Sequence, residues 1–187
     1  MSPHERPIAG PAADFAATLR AALPVLETAR TRLRAPELGD FDLWAEIVTG
    51  PAGADIGGPF SREDAFTEFC AAVSLWLLRG HGLWTVEDRD GHEVLGFVLV
   101  GFEPGDLEPE LGYLFRAAAT GKGYAAEAAG AARDHALGAA GLPSLVSYVA
   151  PENAPSARLA ERLGGWRDGE VDGCQVWRHA PKQGGRA

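Results

Sequence analysis

Two glycines flanking a lysine, in Thr120-Gly121-Lys122-Gly123-Tyr124-Ala125, are the residues whose types and spacing point most directly to chemistry. They follow residues 110–115, Glu-Leu-Gly-Tyr-Leu-Phe, which read as a strand. They lead into residues 125–140, which are dense in the strongest helix former. A strand, a glycine turn and a helix aim several backbone N–H groups at one point. The positive end of the helix dipole adds to them, so the point suits a phosphate. Gly121 and Gly123 let the backbone approach an anion with no Cβ in the way. A Walker loop is excluded, because Tyr124 follows Gly123 where that motif needs Lys and then Ser or Thr. A dinucleotide fingerprint, G-x-G-x-x-G, stays open on spacing with Ala126 at its third small position. Its turn, however, usually opens a domain and is followed by a ribose-binding acid.

The flanking sequence supplies the elements that position this loop. Residues 1–27 read as an N-terminal extension, polar and disordered to about Gly10, then a short helix carrying Phe15, Leu19 and Leu23. Residues 28–34 read as a strand, and Asp40 as the N-cap of a helix bearing Phe41, Trp44, Ile47 and Val48. Residues 50–59 form a loop. Ser61 and Asp64 cap a second helix whose stripe is Phe66, Phe69, Val73 and Leu77. Residues 83–87 and 93–100 are strands joined by a turn at Asp88-Arg89-Asp90-Gly91. After the alanine helix come a strand at 144–149, a helix at 154–163 and a closing hairpin around Val171 and Gln175-Val176-Trp177. The order β-α-α-β-β-β-α-β-α-β-β implies a mixed α/β sheet with helices on its faces and one parallel crossover around the alanine helix. Residues 181–187 read as a disordered tail.

Composition narrows the function classes. A chain of 187 residues buries a core without metal or disulfide staples. Its net charge of −9 argues against nucleic acid as a partner, while tolerating a cationic substrate. Cys70 and Cys174 have neither zinc-ligand nor redox spacing, and they fit a reducing cytoplasm. No apolar run is long enough for a membrane helix and no signal-peptide core is present. The expectation is a cytoplasmic protein, monomeric or homodimeric, with no metal.

Two segments resemble the GNAT acyl-CoA N-acetyltransferase superfamily. Residues 110–128, running from the strand through Gly121-Lys122-Gly123-Tyr124-Ala125-Ala126, are similar to its motif Q/R-x-x-G-x-G/A. Residues 151–166, Pro-Glu-Asn-Ala-Pro-Ser-Ala-Arg-Leu-Ala-Glu-Arg-Leu-Gly-Gly-Trp, are similar to its asparagine strand-to-helix segment. Arg32-Leu33-Arg34-Ala35-Pro36 resembles the opening of the branch that contains the ribosomal-protein N-terminal acetyltransferases. The resemblance implies an acetyltransferase domain over 28–180, with a mostly antiparallel sheet splayed between its fourth and fifth strands. It implies acetyl-CoA as co-substrate and an amine as acceptor. Tyr113, Leu114, Phe115, Gly121, Lys122, Gly123, Tyr124, Ala125, Ala126, Asn153 and Ser156 would bind the coenzyme. Three positions depart from the pattern. Ala118 stands where Gln or Arg is usual, Trp166 where Phe is usual, and Ala160 where many members carry a tyrosine general acid.

Acetyl transfer to an amine needs a neutral amine, a polarised carbonyl and a stabilised thiolate. By resemblance, Ser156 lies near the thioester sulfur and is the candidate proton donor, with Tyr148 a second. Glu110, at the start of the fourth strand, is the candidate base; Glu108 and a water compete for that role. His81 and His92 fall in turns. Trp84 and the Gly57-Gly58-Pro59-Phe60 loop are candidates for the acceptor pocket, since loops carry specificity, with the core the alternative and favoured place for Trp84. A non-catalytic acyl-CoA sensor or interaction module on the same fold is the alternative function.

Overall fold

Alternation along the central strands divides the interior into two layers. The computed structural model describes residues 2–179. Its helices are α1 (Pro11–Ala21), α2 (Phe41–Val48), α3 (Arg62–Arg79), α4 (Tyr124–Leu137) and α5 (Ala154–Arg162). Its strands are β1 (Leu26–Glu27), β2 (Thr31–Arg34), β3 (Leu83–Asp88), β4 (Val94–Gly101), β5 (Glu110–Phe115), β6 (Val146–Val149), β7 (Trp166–Val171) and β8 (Cys174–Arg178). On β3 and β4, Trp84, Val86, Val98 and Val100 pack with Ala128, Ala129, Ala132 and Ala136 of α4. Leu83 and Phe97 point the other way, to Phe41, Trp44 and Val48 of α2 and Phe69 of α3. The period of two therefore puts one helical layer on each face of the sheet.

The strands lie in the order β1-β2-β3-β4-β5-β6-β8-β7. Every neighbouring pair is antiparallel except β5 and β6, which α4 connects as a crossover. These two are the fourth and fifth strands counted in the sequence, because β1 adds a short edge strand against Leu33 and Arg32. Their pairing consists of one position, Glu110 opposite Val146, after which the strands part.

Several local expectations shift for identifiable reasons. The buried face of α3 is Ala65, Phe69, Ala72 and Trp76, whereas Leu77 is 77% exposed. Trp76 sets that face: it meets Trp84 edge-on at 4.6 Å, and its Nε1 donates to the Leu83 carbonyl at 2.8 Å. Asp40 precedes α2 without capping it. Its carboxylate instead accepts from Arg34 Nη1 at 2.8 Å, Arg34 Nη2 at 2.9 Å and Thr85 Oγ1 at 2.8 Å. The first long strand begins only at Thr31, because Thr28 turns back to donate its N–H to the Thr31 carbonyl at 2.9 Å. α4 stops at Leu137, where Gly138 leaves helical geometry with φ −97° and ψ −89°. In the polar N-terminal stretch, Glu5 is buried and accepts from Arg62 Nε at 2.9 Å, which ties that stretch to the start of α3. The expected tail at 181–187 lies outside the described residues. Among the described residues no helix is long and apolar enough to cross a membrane.

β4 presses close against the end of β5 that leads to the glycine loop. A Cβ on Gly96 would lie 2.2 Å from the Leu114 carbonyl oxygen and 2.8 Å from Phe115 Cα. Gly96→Ala should therefore force the strands apart and cost about 1–3 kcal/mol, the range for overpacking an interior. Urea unfolding measures this, and an unchanged midpoint would show that β5 yields without cost.

Candidate functional site

Where β5 and β6 separate, the gap widens into a cleft of ≈ 490 Å³ lined by both strands, the glycine loop and α5. That size suits a small ligand or a coenzyme arm. Side chains take over the hydrogen bonds that strand pairing would have made. Ser147 Oγ donates to the Leu111 carbonyl at 2.7 Å, and the Glu110 carboxyl accepts the Tyr148 N–H at 3.2 Å. Leu111 thus turns its backbone toward β6. By the alternation of an antiparallel edge, Tyr113 and Phe115 turn theirs into the cleft. The Tyr113 hydroxyl spans to α5 and donates to the Ser156 carbonyl at 3.1 Å.

At the loop end, Gly121 and Gly123 have φ of 74° and 85°, a left-handed backbone that glycine adopts without strain. Gly123 is the N-cap of α4 and supplies no side-chain cap, so first-turn N–H groups of that helix remain available to a ligand. Gly121, Gly123, Ala125 and Ala126 line the cleft, while Lys122 and Tyr124 do not. The Tyr124 ring lies instead beneath the Arg30 guanidinium, 4.8 Å from its centroid. Ala118 sits exposed on a 3-10 turn, and its neighbours Ala119 and Thr120 face the cleft in its stead.

Across the cleft, Asn153 caps α5 by accepting the Ser156 N–H on Oδ1 at 3.1 Å. Asn153 and Ser156 both line the cleft, as do Arg158 and Arg162 farther along the same helix. The two arginines were not singled out in the sequence. Their spacing of four residues, which stacks side chains on one helix face, was the available signal. Every other described arginine has an ion pair, a hydrogen bond or a ring contact. Among the described residues, Arg158, Arg162 and the exposed Lys122 are the cations whose side chains take no such partner. In an acidic protein, uncommitted positive charge gathers around this cleft and its loop.

The opposite end carries the ionisable groups. Burial pushes the Glu110 carboxyl up to about 7, the Tyr148 N–H works against that, and the charges of Asp106 and Glu103 add to the rise. Glu108 is committed elsewhere. It accepts from Arg178 Nη1 at 2.8 Å and Nη2 at 2.7 Å, and this pairing, with a bond from Ser144, holds it down to about 2. The Tyr148 hydroxyl lies 3.3 Å from both the Leu107 and Glu108 N–H groups, accepting from the loop ahead of β5. Ala52 and Ile56 also line the cleft. Trp84, considered for the acceptor pocket, is wholly buried, with its Nε1 on the Pro24 carbonyl at 2.9 Å. Phe60 packs against the core cluster under α2 and α3. His81 is buried on the Val100 carbonyl at 2.6 Å, and exposed His92 lies 3.7 Å from Glu87.

Carboxyl carbon shifts should show Glu110 titrating near 7 while Glu108 stays ionised well below 4. Because the folded value of Glu110 lies above the unfolded one, its contribution favours the fold at low pH and is lost as pH rises through about 7. Glu110→Gln should remove both the titration and that slope in stability. A Glu110 midpoint near an ordinary carboxylate would contradict this account of the cleft.

Residues 30–165 match the acetyltransferase (GNAT) domain family. An acetyltransferase from Agrobacterium tumefaciens str. C58 has the same fold with a TM-score of 0.81 and 36% identity, over 85% of this chain and 95% of that one. The RimL ribosomal L7/L12 alpha-N-protein acetyltransferase, solved in complex with coenzyme A, shares the fold alone. Its TM-score is 0.69 at 15% identity, over 84% of this chain and 98% of that chain. The uncharacterized protein YkkB of Bacillus subtilis (strain 168) is 35% identical over 92 residues, 46% of this chain and 52% of its own length. The chain thus matches about half the length of its curated relatives. The family match runs from the turn before β2 to the end of α5, enclosing the loop, the splayed strands and the capped helix: the chain belongs to the GNAT acetyltransferase family.

Proposed function

We propose that this chain transfers an acetyl group from acetyl-CoA to a primary amine, of a small molecule or a protein N-terminus, by direct attack in a ternary complex. One observation carries the reading: a single cleft joins an anion-binding end to a carboxyl that holds its proton near neutrality. The N–H groups around Gly121 and Gly123, the α4 dipole, and Arg158 and Arg162 suit the phosphates of coenzyme A. Roughly 17 Å of β5 separates Phe115 from Glu110, five residues at the usual strand rise. That length fits an extended pantetheine arm hydrogen-bonded to the backbone of Tyr113 and Phe115, with Leu114 between them. Asn153 uses Oδ1 for its cap and keeps Nδ2 to donate to the arm.

In the reaction the amine nitrogen attacks the thioester carbon, and the C–S bond breaks as the tetrahedral adduct collapses. Glu110, ionised above about 7, takes the amine proton directly or through water. Glu108 is unsuited to that task, since a carboxylate held by Arg178 is a weak base. Ser156 Oγ passes a proton to the departing thiolate as it regains one from solvent, so the hydroxyl ends neutral. Alanine at positions 118 and 160, where the resemblance implies Gln or Arg and a tyrosine, favours a second reading: an acyl-CoA sensor or interaction module without turnover.

Thiol release from acetyl-CoA against a panel of peptides and small amines decides between the two. Turnover with at least one amine is expected, and coenzyme binding without release for any amine would establish the sensor. Ser156→Ala should lower kcat by about 10²-fold, the scale of a lost general acid, with coenzyme affinity retained; unchanged turnover removes Ser156 from the mechanism. Gly123→Asp should abolish coenzyme binding. It sets a carboxylate against the phosphates and forces a side chain onto a φ of 85°, 3.2 Å from Arg30 Nη2 at its Cβ. Calorimetric titration of the folded variant with wild-type affinity would sink the assignment of the loop.

A further inference from the structure

Behind the glycine loop, one arginine holds Lys122, Tyr124 and, in the first turn of the helix, Glu127. Arg30 Nη1 donates to the Lys122 carbonyl at 3.0 Å. Its guanidinium lies 4.8 Å from the Tyr124 ring centroid, and its Nη2 stands 3.2 Å from where a Gly123 Cβ would be. The same group pairs with Glu127 of α4, through Nε at 2.8 Å and Nη2 at 2.8 Å. Glu127 also accepts the Arg30 N–H at 2.6 Å and the Thr28 hydroxyl at 2.5 Å. The turn at Thr28–Thr31 that shortens β2 is what brings this arginine to the loop.

Glu127 poses an electrostatic problem. A carboxylate in the first turn of α4 stabilises the helix, but it stands beside the N–H groups that face the cleft and would repel an anion bound there. The hydrogen bonds from Thr28 and Arg30 outweigh partial burial and lower its proton affinity, so it is ionised at neutral pH. Arg30 supplies the opposite charge and, through the same fork, fixes the direction of the Lys122 peptide.

We propose that Arg30 is a positioning residue for the coenzyme's phosphates, holding the 122–124 turn in its binding geometry and neutralising Glu127 beside the anion. The inference rests on the reading of the cleft as a coenzyme A site. It assigns Arg30 and Glu127 a joint role in coenzyme affinity, with the acetyl-transfer step left to the groups at the far end of β5.

The test is a calorimetric titration of coenzyme A into the full chain and into Arg30→Ala, Glu127→Gln, the double variant and Arg30→Lys. Thiol release is measured alongside. Arg30→Ala should weaken binding by about tenfold or more, since it frees the turn and leaves Glu127 unneutralised. KM for acetyl-CoA should rise in step, with kcat at saturation nearly unchanged. Glu127→Gln alone should bind at least as well as wild type. The double variant should recover only part of the loss, because the repelling charge has gone with its partner while the turn stays free. Arg30→Lys keeps the charge without the fork and should fall between; it carries the test if Arg30→Ala does not fold. Arg116→Ala, which removes the same charge from the Glu93 pair, must leave affinity unchanged. Wild-type affinity in Arg30→Ala and Arg30→Lys, or a double variant no better than Arg30→Ala, overturns the proposal while the reading of the cleft stands. Failure of the wild-type chain to bind coenzyme A overturns both.

Discussion

A parallel strand pair that forms once and then fails is the constraint on which the rest of this structure depends. After Glu110 meets Val146, the edges of β5 and β6 face a gap, and each backbone group there must find another partner or remain unsatisfied. Two side chains meet that need at the fork. Ser147 satisfies the Leu111 carbonyl and Glu110 satisfies the Tyr148 N–H. Behind Ser147, at 3.0 Å from its hydroxyl, lies His179 Nε2. Burial, with the charge of Arg133 nearby, pushes that imidazole down to about 4, so it stays neutral in the interior. Past the fork no such substitutes stand opposite Tyr113 and Phe115 among the described residues, and these residues line the cleft. A defect in the sheet thus opens into a cleft because it is capped at one end and left open along the other.

The helix that follows the loop is fitted to this arrangement by the smallness of its residues. Ala128, Ala129, Ala132 and Ala136 are all buried against the sheet. Short side chains allow α4 to lie close on β4 and β5, which keeps its N-terminus level with the mouth of the cleft. On the other face, Phe41, Trp44, Phe69 and Phe97 interlock through edge and tilted ring contacts at 5.3 to 6.4 Å, giving β4 a firm backing. The asymmetry has a use: bulky rings support the sheet from behind, and small residues bring a helix dipole to the front.

What the sequence disclosed follows from which interactions leave a local trace. The glycine loop, the alanine helix and the Asn153 cap depend on neighbours within a few residues, so composition and spacing carry them. The partners of Arg30 and Glu108 lie far along the chain, at Glu127 and Arg178, and no periodicity announces such pairs. His81 falls in a turn by sequence, yet tertiary packing buries it on the Val100 carbonyl, while Trp84, on a strand, joins the core. The α3 stripe expected at Leu77 is displaced because Trp76, large enough to dominate the interface, lies one position away in a helix apolar on several sides. β7 shows the converse: five of its six residues are exposed, so the alternation that marks a half-buried strand is missing and only Val171, its last residue, marks it in the sequence.

The two carboxylates of the cleft end illustrate how far tertiary context decides chemistry. Glu108 and Glu110 are the same residue type, two positions apart at the entry to β5, and in the sequence only the place of Glu110 at the start of the strand separates them. β8 does. Its insertion between β6 and β7 brings Arg178 opposite Val146, where its fork grips Glu108 and holds it down to about 2. Glu110 lies at the start of the splay, receives one backbone N–H and no arginine, and is pushed up to about 7 by burial. Neighbouring acids driven apart in this way take different tasks: one becomes a structural anion, the other a group able to exchange a proton near neutral pH. The proposal that Glu110 acts as base therefore rests on strand order. The topology that opens the cleft also determines which of its acids is left free to work there.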